Sequence, residues 1–177
     1  MNEQITFVVG GCRSGKSTSA LNQADRMSGK NKYFIATSVP TDIEMELRVV
    51  KHQKERGSDW QTIEEPVEID KWIQKVSPKA SVILVDCLTL WVSNLLFQLK
   101  EPDLIDQAIC NLEQALKQCK CPIFLVSNEV GYGIVPENQL ARQFRDLAGS
   151  VNQRVARIAH RVILTVAGID VQIKPRP

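Results

Sequence analysis

Ile5-Thr6-Phe7-Val8-Val9-Gly10-Gly11-Cys12-Arg13-Ser14-Gly15-Lys16-Ser17-Thr18 runs an apolar stretch straight into the pattern G-x-x-x-x-G-K-[ST]. The order of strand, glycine loop and helix is the context a phosphate-binding P-loop requires. Glycines permit torsions that turn successive N–H groups inward and form a concave anion site. The following helix adds the positive end of its dipole to the same spot. Lys16 then reaches the β- and γ-phosphates, and the Ser17 hydroxyl is a ligand for Mg²⁺. The segment implies that the chain binds a nucleoside triphosphate.

With 177 residues, 44% of them hydrophobic and 24% charged, the chain reads as one globular domain spanning 1–177. A net charge of +2, without a basic cluster, gives no footprint for nucleic acid. Cys12, Cys87, Cys110, Cys119 and Cys121 are an odd number without framework spacing, as expected of free thiols in a reducing compartment. Cys119-x-Cys121 has no second ligand pair nearby to make a metal site. No stretch has transmembrane length and no signal peptide is evident, so the expectation is a cytoplasmic protein without membrane insertion.

Outward from the P-loop, short apolar runs recur at Ile5–Val9, Tyr33–Thr37, Val82–Asp86, Ile123–Ser127, Val162–Val166 and Val171–Lys174. Between the first five lie stretches long enough for crossover helices, which predicts an α/β fold with a mainly parallel sheet. Val82-Ile83-Leu84-Val85 is apolar throughout, as a strand buried on both faces must be. Ala167-Gly168 joins the last two runs tightly and predicts an antiparallel C-terminal hairpin.

Thr41-Asp42-Ile43-Glu44 is a capping box, opening a helix that runs to about Arg56 and ends at Gly57. Ile43, Leu47 and Val50 form its apolar stripe; His52 lies about 180° from Ile43, flanked by Arg48 and Arg56 at four residues on either side. One reading is a solvated basic face. The other is a phosphate-handling face, where the arginines disfavour the imidazolium and hold phosphate oxygens while the neutral imidazole acts as nucleophile.

Asp86 closes a buried strand, the usual position for a carboxylate that holds Mg²⁺ through water; a plain helix N-cap is the alternative. Glu64-Glu65-Pro66 reads only as an acidic helix start. The glycines of Ser127-Asn128-Glu129-Val130-Gly131-Tyr132-Gly133-Ile134-Val135-Pro136 permit motion or close approach to a substrate, beside a purely structural reading as a connection. Glu137 to His160 reads as one long helix, with His160 as a charge partner at its C-terminal end.

Together, the segments Gly10–Ser17, Tyr33–Ser38, Arg48–Arg56, Trp60–Pro66, Val85–Leu96, Ser127–Asn138, Phe144–Asp146 and Val151–Gln153 resemble the bifunctional adenosylcobinamide kinase/adenosylcobinamide-phosphate guanylyltransferase family. The resemblance spans nearly the whole chain and implies a RecA-like, three-layer P-loop fold and a homotrimer. It implies phosphorylation of adenosylcobinamide with ATP or GTP, then transfer of GMP from GTP to adenosylcobinamide phosphate through a guanylylated histidine, here His52. Implied nucleotide contacts are Gly10, Gly11, Cys12, Arg13, Ser14, Gly15, Lys16, Ser17 and Thr18 of the P-loop. They continue with Ala36, Thr37 and Ser38, then Arg48, Gln53, Lys54, Glu55 and Arg56, and finally Glu64 and Asp86. Lys16 and His52 carry the catalysis, and Ser17 and Asp86 the Mg²⁺. Lys51 stands where some relatives have a second histidine, so a neighbouring imidazole cannot assist.

Overall fold

The computed structural model describes residues 5–39, 57 and 59–175. In chain order its elements are β1 (Ile5–Gly10), α1 (Lys16–Asp25), β2 (Lys32–Ala36), β3 (Trp60–Glu64), α2 (Ile69–Val76) and β4 (Val82–Asp86). They continue with α3 (Leu88–Gln98), α4 (Pro102–Gln118), β5 (Ile123–Asn128), α5 (Gln139–Ile158), β6 (Arg161–Val166) and β7 (Ile169–Lys174). The sheet order is β3-β2-β4-β5-β1-β6-β7. All neighbours are parallel except β6 and β7, which form the expected antiparallel hairpin. Ala167 and Gly168 both take positive φ, 51° and 81°, as a two-residue I′ turn demands.

Alternation along the strands divides the interior into two cores. Ile5, Phe7 and Val9 of β1, with Ile83 and Val85 of β4, face the apolar sides of α2, α3, α4 and α5. Val8, Leu84, Phe124 and Val126 point the other way, onto Ala20 and Ala24 of α1. Those two alanines are fully buried, and their small size lets α1 lie close against the sheet. Helices on both faces of one sheet make the three-layer arrangement. β1 lies at the point where the chain, having built one half of the sheet, passes to the other. Open α/β sheets form their ligand crevice at the carboxyl ends of the strands beside such a switch.

Several expectations need correction. Trp60–Glu64 is a parallel edge strand beside β2, so Glu64 ends a strand and does not belong to a helix start. Glu65 does serve the helix start. Its Oε1 accepts the N–H groups of Val67 and Glu68, and its Oε2 accepts Trp72 Nε1. The cap of α3 is Cys87, in extended conformation, and Asp86 remains the last residue of β4; the N-cap alternative for Asp86 falls away. The long helix spans Gln139–Ile158, with Asn138 Oδ1 capping it by accepting Ala141 N–H at 3.0 Å. His160 lies beyond that helix. Its Nδ1 accepts Ile5 N–H at 3.2 Å and its own N–H donates to Ile5 O, so it anchors the start of β1.

Candidate active site at the strand ends

The P-loop connects β1 to α1 by a tight path. Any Cβ at Gly10 would stand 2.4 Å from the Thr165 carbonyl oxygen, so only glycine fits where β1 leaves the sheet. Gly15 caps α1 in the left-handed region, at φ 92°. Ser14 N–H donates to Gly11 O, closing the loop, and Gly168 N–H donates to Ser14 O at 2.8 Å, pressing the hairpin turn against it. Lys16 is buried at 9% exposure and its Nζ donates to Gly11 O at 3.1 Å, which holds its charge over the loop. The Ser14 hydroxyl is buried without a hydrogen-bond partner. Gly11, Cys12, Arg13 and Thr18 are exposed, and Ser17 is half-buried in the first turn of α1.

Sheet register brings distant residues into one row. Ala36 pairs with Glu64 on one side and with Asp86 on the other, so Glu64, Ala36 and Asp86 end three adjacent strands side by side. Asp86 and Ser17, the expected Mg²⁺ pair, supply carboxylate and hydroxyl oxygens, the donor type that this hard cation takes. Among the described residues, no group of three His, Cys, Asp or Glu makes a denser metal cage. A two-donor set suits an ion that keeps most of its water.

The loops behind this row are held by buried polar groups. Thr37 Oγ1 donates to Cys87 O and accepts Cys87 N–H, both at 2.8 Å, and Thr37 is fully buried. Its hydroxyl thus locks the ends of β2 and β4 together and does not face the crevice. Ser38, the next residue, is half-buried. Asn94, within the mostly apolar helix α3, donates from Nδ2 to Thr37 O and to Pro66 O, tying the ends of β2 and β3 to that helix. Thr89 Oγ1 accepts Asn128 N–H, and Asn152 Nδ2 donates to Asn128 O, fixing the end of β5. Sequence reasoning assigned no role to Thr89, Asn94 or Asn152, and named Thr37 only as a nucleotide contact implied by the resemblance. For Asn94 the available signal was an amide set directly before Leu95-Leu96-Phe97 in a mostly apolar helix. The Cys87 thiol beside Asp86 is pushed up to about 11, by burial first and by the Asp86 charge second, so it stays protonated and is no nucleophile.

After Asn128 comes the two-glycine loop. Glu129 Oε1 accepts Gly131 N–H, and Arg145 Nη2 donates to Gly131 O at 3.2 Å. Tyr132 and Ile134 are almost fully exposed on its tip, beside the crevice. The expected helix over 41–56 lies outside the described residues, and with it Arg48, His52, Gln53, Lys54, Glu55 and Arg56.

A glycine loop feeding α1 from β1, and acidic residues ending neighbouring parallel strands, define a P-loop nucleotide-binding protein. The fold is RecA-like. It matches the flagellar accessory protein FlaH from Methanocaldococcus jannaschii with a TM-score of 0.52 and 14% identity, over 97% of this chain and 78% of that one. It matches the RadB recombinase with a TM-score of 0.52 and 17% identity, over 92% and 74%. At this identity the likeness concerns the fold.

Sequence comparison is more specific. Residues 6–173 match the family model described as cobinamide kinase / cobinamide phosphate guanyltransferase, and the chain belongs to that family. It is 41% identical to the bifunctional adenosylcobalamin biosynthesis protein CobU of Escherichia coli K12, over 96% of this chain and 99% of that protein. Identity to CobU of Salmonella typhimurium LT2 is 42%, over 96% and 99%. Identity to the bifunctional adenosylcobalamin biosynthesis protein CobP of Pseudomonas aeruginosa PAO1 is 38%, over 97% and 98%.

Proposed function

We propose that this chain is a bifunctional enzyme of cobalamin biosynthesis, which phosphorylates adenosylcobinamide with ATP or GTP and then transfers GMP from GTP to adenosylcobinamide phosphate. The observation that carries this reading is the family match over residues 6–173, on a chain covered at 96% by proteins named for the bifunctional activity.

In the first step the acceptor hydroxyl oxygen attacks the γ-phosphorus, the bond to the β-phosphate oxygen breaks, and nucleoside diphosphate and a proton leave. The inward N–H groups of the P-loop and the Lys16 ammonium stabilise the charge on the transferred group. Ser17 and Asp86 are the residues that would hold Mg²⁺, which when bound neutralises charge on the β- and γ-phosphate oxygens.

In the second step His52 acts as nucleophile. An imidazole nitrogen forms a bond to the α-phosphorus of GTP and pyrophosphate departs, received by the P-loop amides and Lys16. A phosphate oxygen of adenosylcobinamide phosphate then attacks the same phosphorus and displaces the imidazole. Two displacements through a covalent histidine replace one encounter between two polyanions. Arg48 and Arg56, four residues before and after His52 in the sequence, counter the charge of the α-phosphate. Glu64, Ala36 and Ser38 are the strand-end contacts for the GTP nucleoside in this step.

The test is a product assay with purified protein, adenosylcobinamide, GTP and Mg²⁺, read by mass spectrometry. Both adenosylcobinamide phosphate and adenosyl-GDP-cobinamide should form, and Lys16→Ala should lower both rates by about 10²-fold or more. Formation of neither product by the wild type contradicts the proposal.

A further inference from the structure

β5 lies between β1, which feeds the P-loop, and β4, which ends at Asp86. A γ-phosphoryl group held by Lys16 and turned toward Asp86 therefore stands over the end of β5. Register and hydrogen bonding join that end to the P-loop. Asn128 pairs with Gly10, and Glu129 N–H donates to Gly10 O at 3.0 Å. The two-glycine loop thus rises from the foot of the P-loop, and Tyr132, three residues past Glu129, lies within about 11 Å of it.

The loop is braced at both ends. Glu129 Oε1 accepts Gly131 N–H, Arg145 Nη2 donates to Gly131 O, and Arg142 Nη1 donates to Pro136 O and Glu137 O. Between these braces Tyr132, Ile134 and Val135 are 85%, 96% and 63% exposed. Leu140, in the first turn of α5, adds a fourth exposed apolar side chain. Apolar groups held in water on a fixed support mark a binding surface.

The occupant follows from where the surface stands. The nucleotide's phosphates are served by the loop amides and Lys16, and aliphatic tips offer them nothing. The acceptor differs. A cobinamide is a broad macrocycle with apolar faces and a rim of primary carboxamides, and only its alcohol arm must enter the crevice to meet the γ-phosphorus. The ring then rests at the crevice mouth beside the transferred group, where this loop stands. Tyr132 offers it a flat aromatic face with a hydroxyl at the end. At the loop's foot Asn128 Oδ1 and Arg145 Nη1, an acceptor and a donor, are buried without hydrogen-bond partners. A primary carboxamide supplies the complement of each. We infer that the 131–135 loop seats the corrinoid ring of the acceptor, with Tyr132 and Ile134 as its contacts. The acceptors of the two steps are successive forms of one substrate, so one seat serves both. This inference rests on the bifunctional reading proposed above.

The test is kinetic, on the double variant Tyr132→Ser/Ile134→Ser; both positions are exposed, so the fold tolerates the change. The KM for adenosylcobinamide should rise about tenfold or more with kcat little changed, the pattern of lost uniform binding. The KM for ATP should match wild type, as should covalent labelling by GTP labelled at its α-phosphorus, with no corrinoid present. An unchanged KM for adenosylcobinamide overturns the inference. A raised KM for ATP or weakened labelling also overturns it, by making the loop a nucleotide contact. A changed sedimenting mass overturns it too, by making the loop a contact between copies of the chain. Hydrogen exchange gives a second reading on wild-type protein saturated with the β,γ-imido analogue of ATP. Adding adenosylcobinamide should slow exchange across residues 130–136, and protection confined elsewhere overturns the inference. Wild-type turnover separates the two levels of failure. Turnover without that protection removes the seat and leaves the function standing; absence of turnover fails the functional reading and the inference with it.

Discussion

Thr37 shows how one buried hydroxyl can organise the strand ends of a site. It accepts and donates within the Cys87 peptide groups, and so sets the end of β4, where Asp86 stands, against the end of β2. Thr37→Val keeps the shape but leaves the buried Cys87 N–H without its partner, while Cys87 O keeps the Trp91 N–H, a loss of about 1–3 kcal/mol. Chemical denaturation should report that loss, and a stability within about 0.5 kcal/mol of wild type would contradict the role. Residues of this kind were poorly legible in the sequence. Gly10, Gly15 and Lys16 announce themselves because their spacing is bound to phosphate chemistry. Thr37, Asn94 and Asn152 act through partners 50, 57 and 24 residues away, and no local pattern connects them.

At the level of elements, the packing of α5 on α4 includes a half-buried cation. Arg154 Nε donates to Glu113 Oε1 at 2.6 Å, and its Nη1 donates to Asp106 Oδ1 at 2.7 Å. Both Arg154 and Glu113 side chains are only 21% exposed. The hydrogen bond from Arg154 holds the Glu113 carboxyl below its usual 4.5. A carboxylate with a lowered folded-state value stabilises the fold above its unfolded value, and that contribution drains away as pH falls through the folded one. Arg154→Leu should therefore cost about 1–2 kcal/mol at pH 7. Thermal unfolding should show the difference from wild type shrinking below about pH 4; a difference independent of pH contradicts the assignment. β3 marks the limit of reading elements from pattern. Trp60-Gln61-Thr62-Ile63 carries the β-branched and aromatic residues of a strand, between Gly57 and Pro66. As an edge strand it leaves Gln61, Thr62 and Glu64 exposed, so it lacks the continuous apolar run that identified β1, β4 and β5.

For the whole molecule, the parallel sheet and its terminal hairpin followed from apolar runs spaced for crossovers. The strand order did not, because β1 lies between β5 and β6, and only tertiary packing sets that neighbourhood. The homotrimer implied by the family resemblance is our proposal for the assembly. Sedimentation equilibrium should give a mass three times the 19.9 kDa of the chain, and a monomer at micromolar concentration would count against it. The central claim concerns chemistry at His52. It is tested most directly by incubating the protein with Mg²⁺ and GTP labelled at the α-phosphorus, then denaturing it. Wild-type protein should retain acid-labile, base-stable label, and His52→Ala should retain none while still phosphorylating adenosylcobinamide. Absence of label on a wild-type protein that binds GTP, or equal labelling of the variant, would contradict the account.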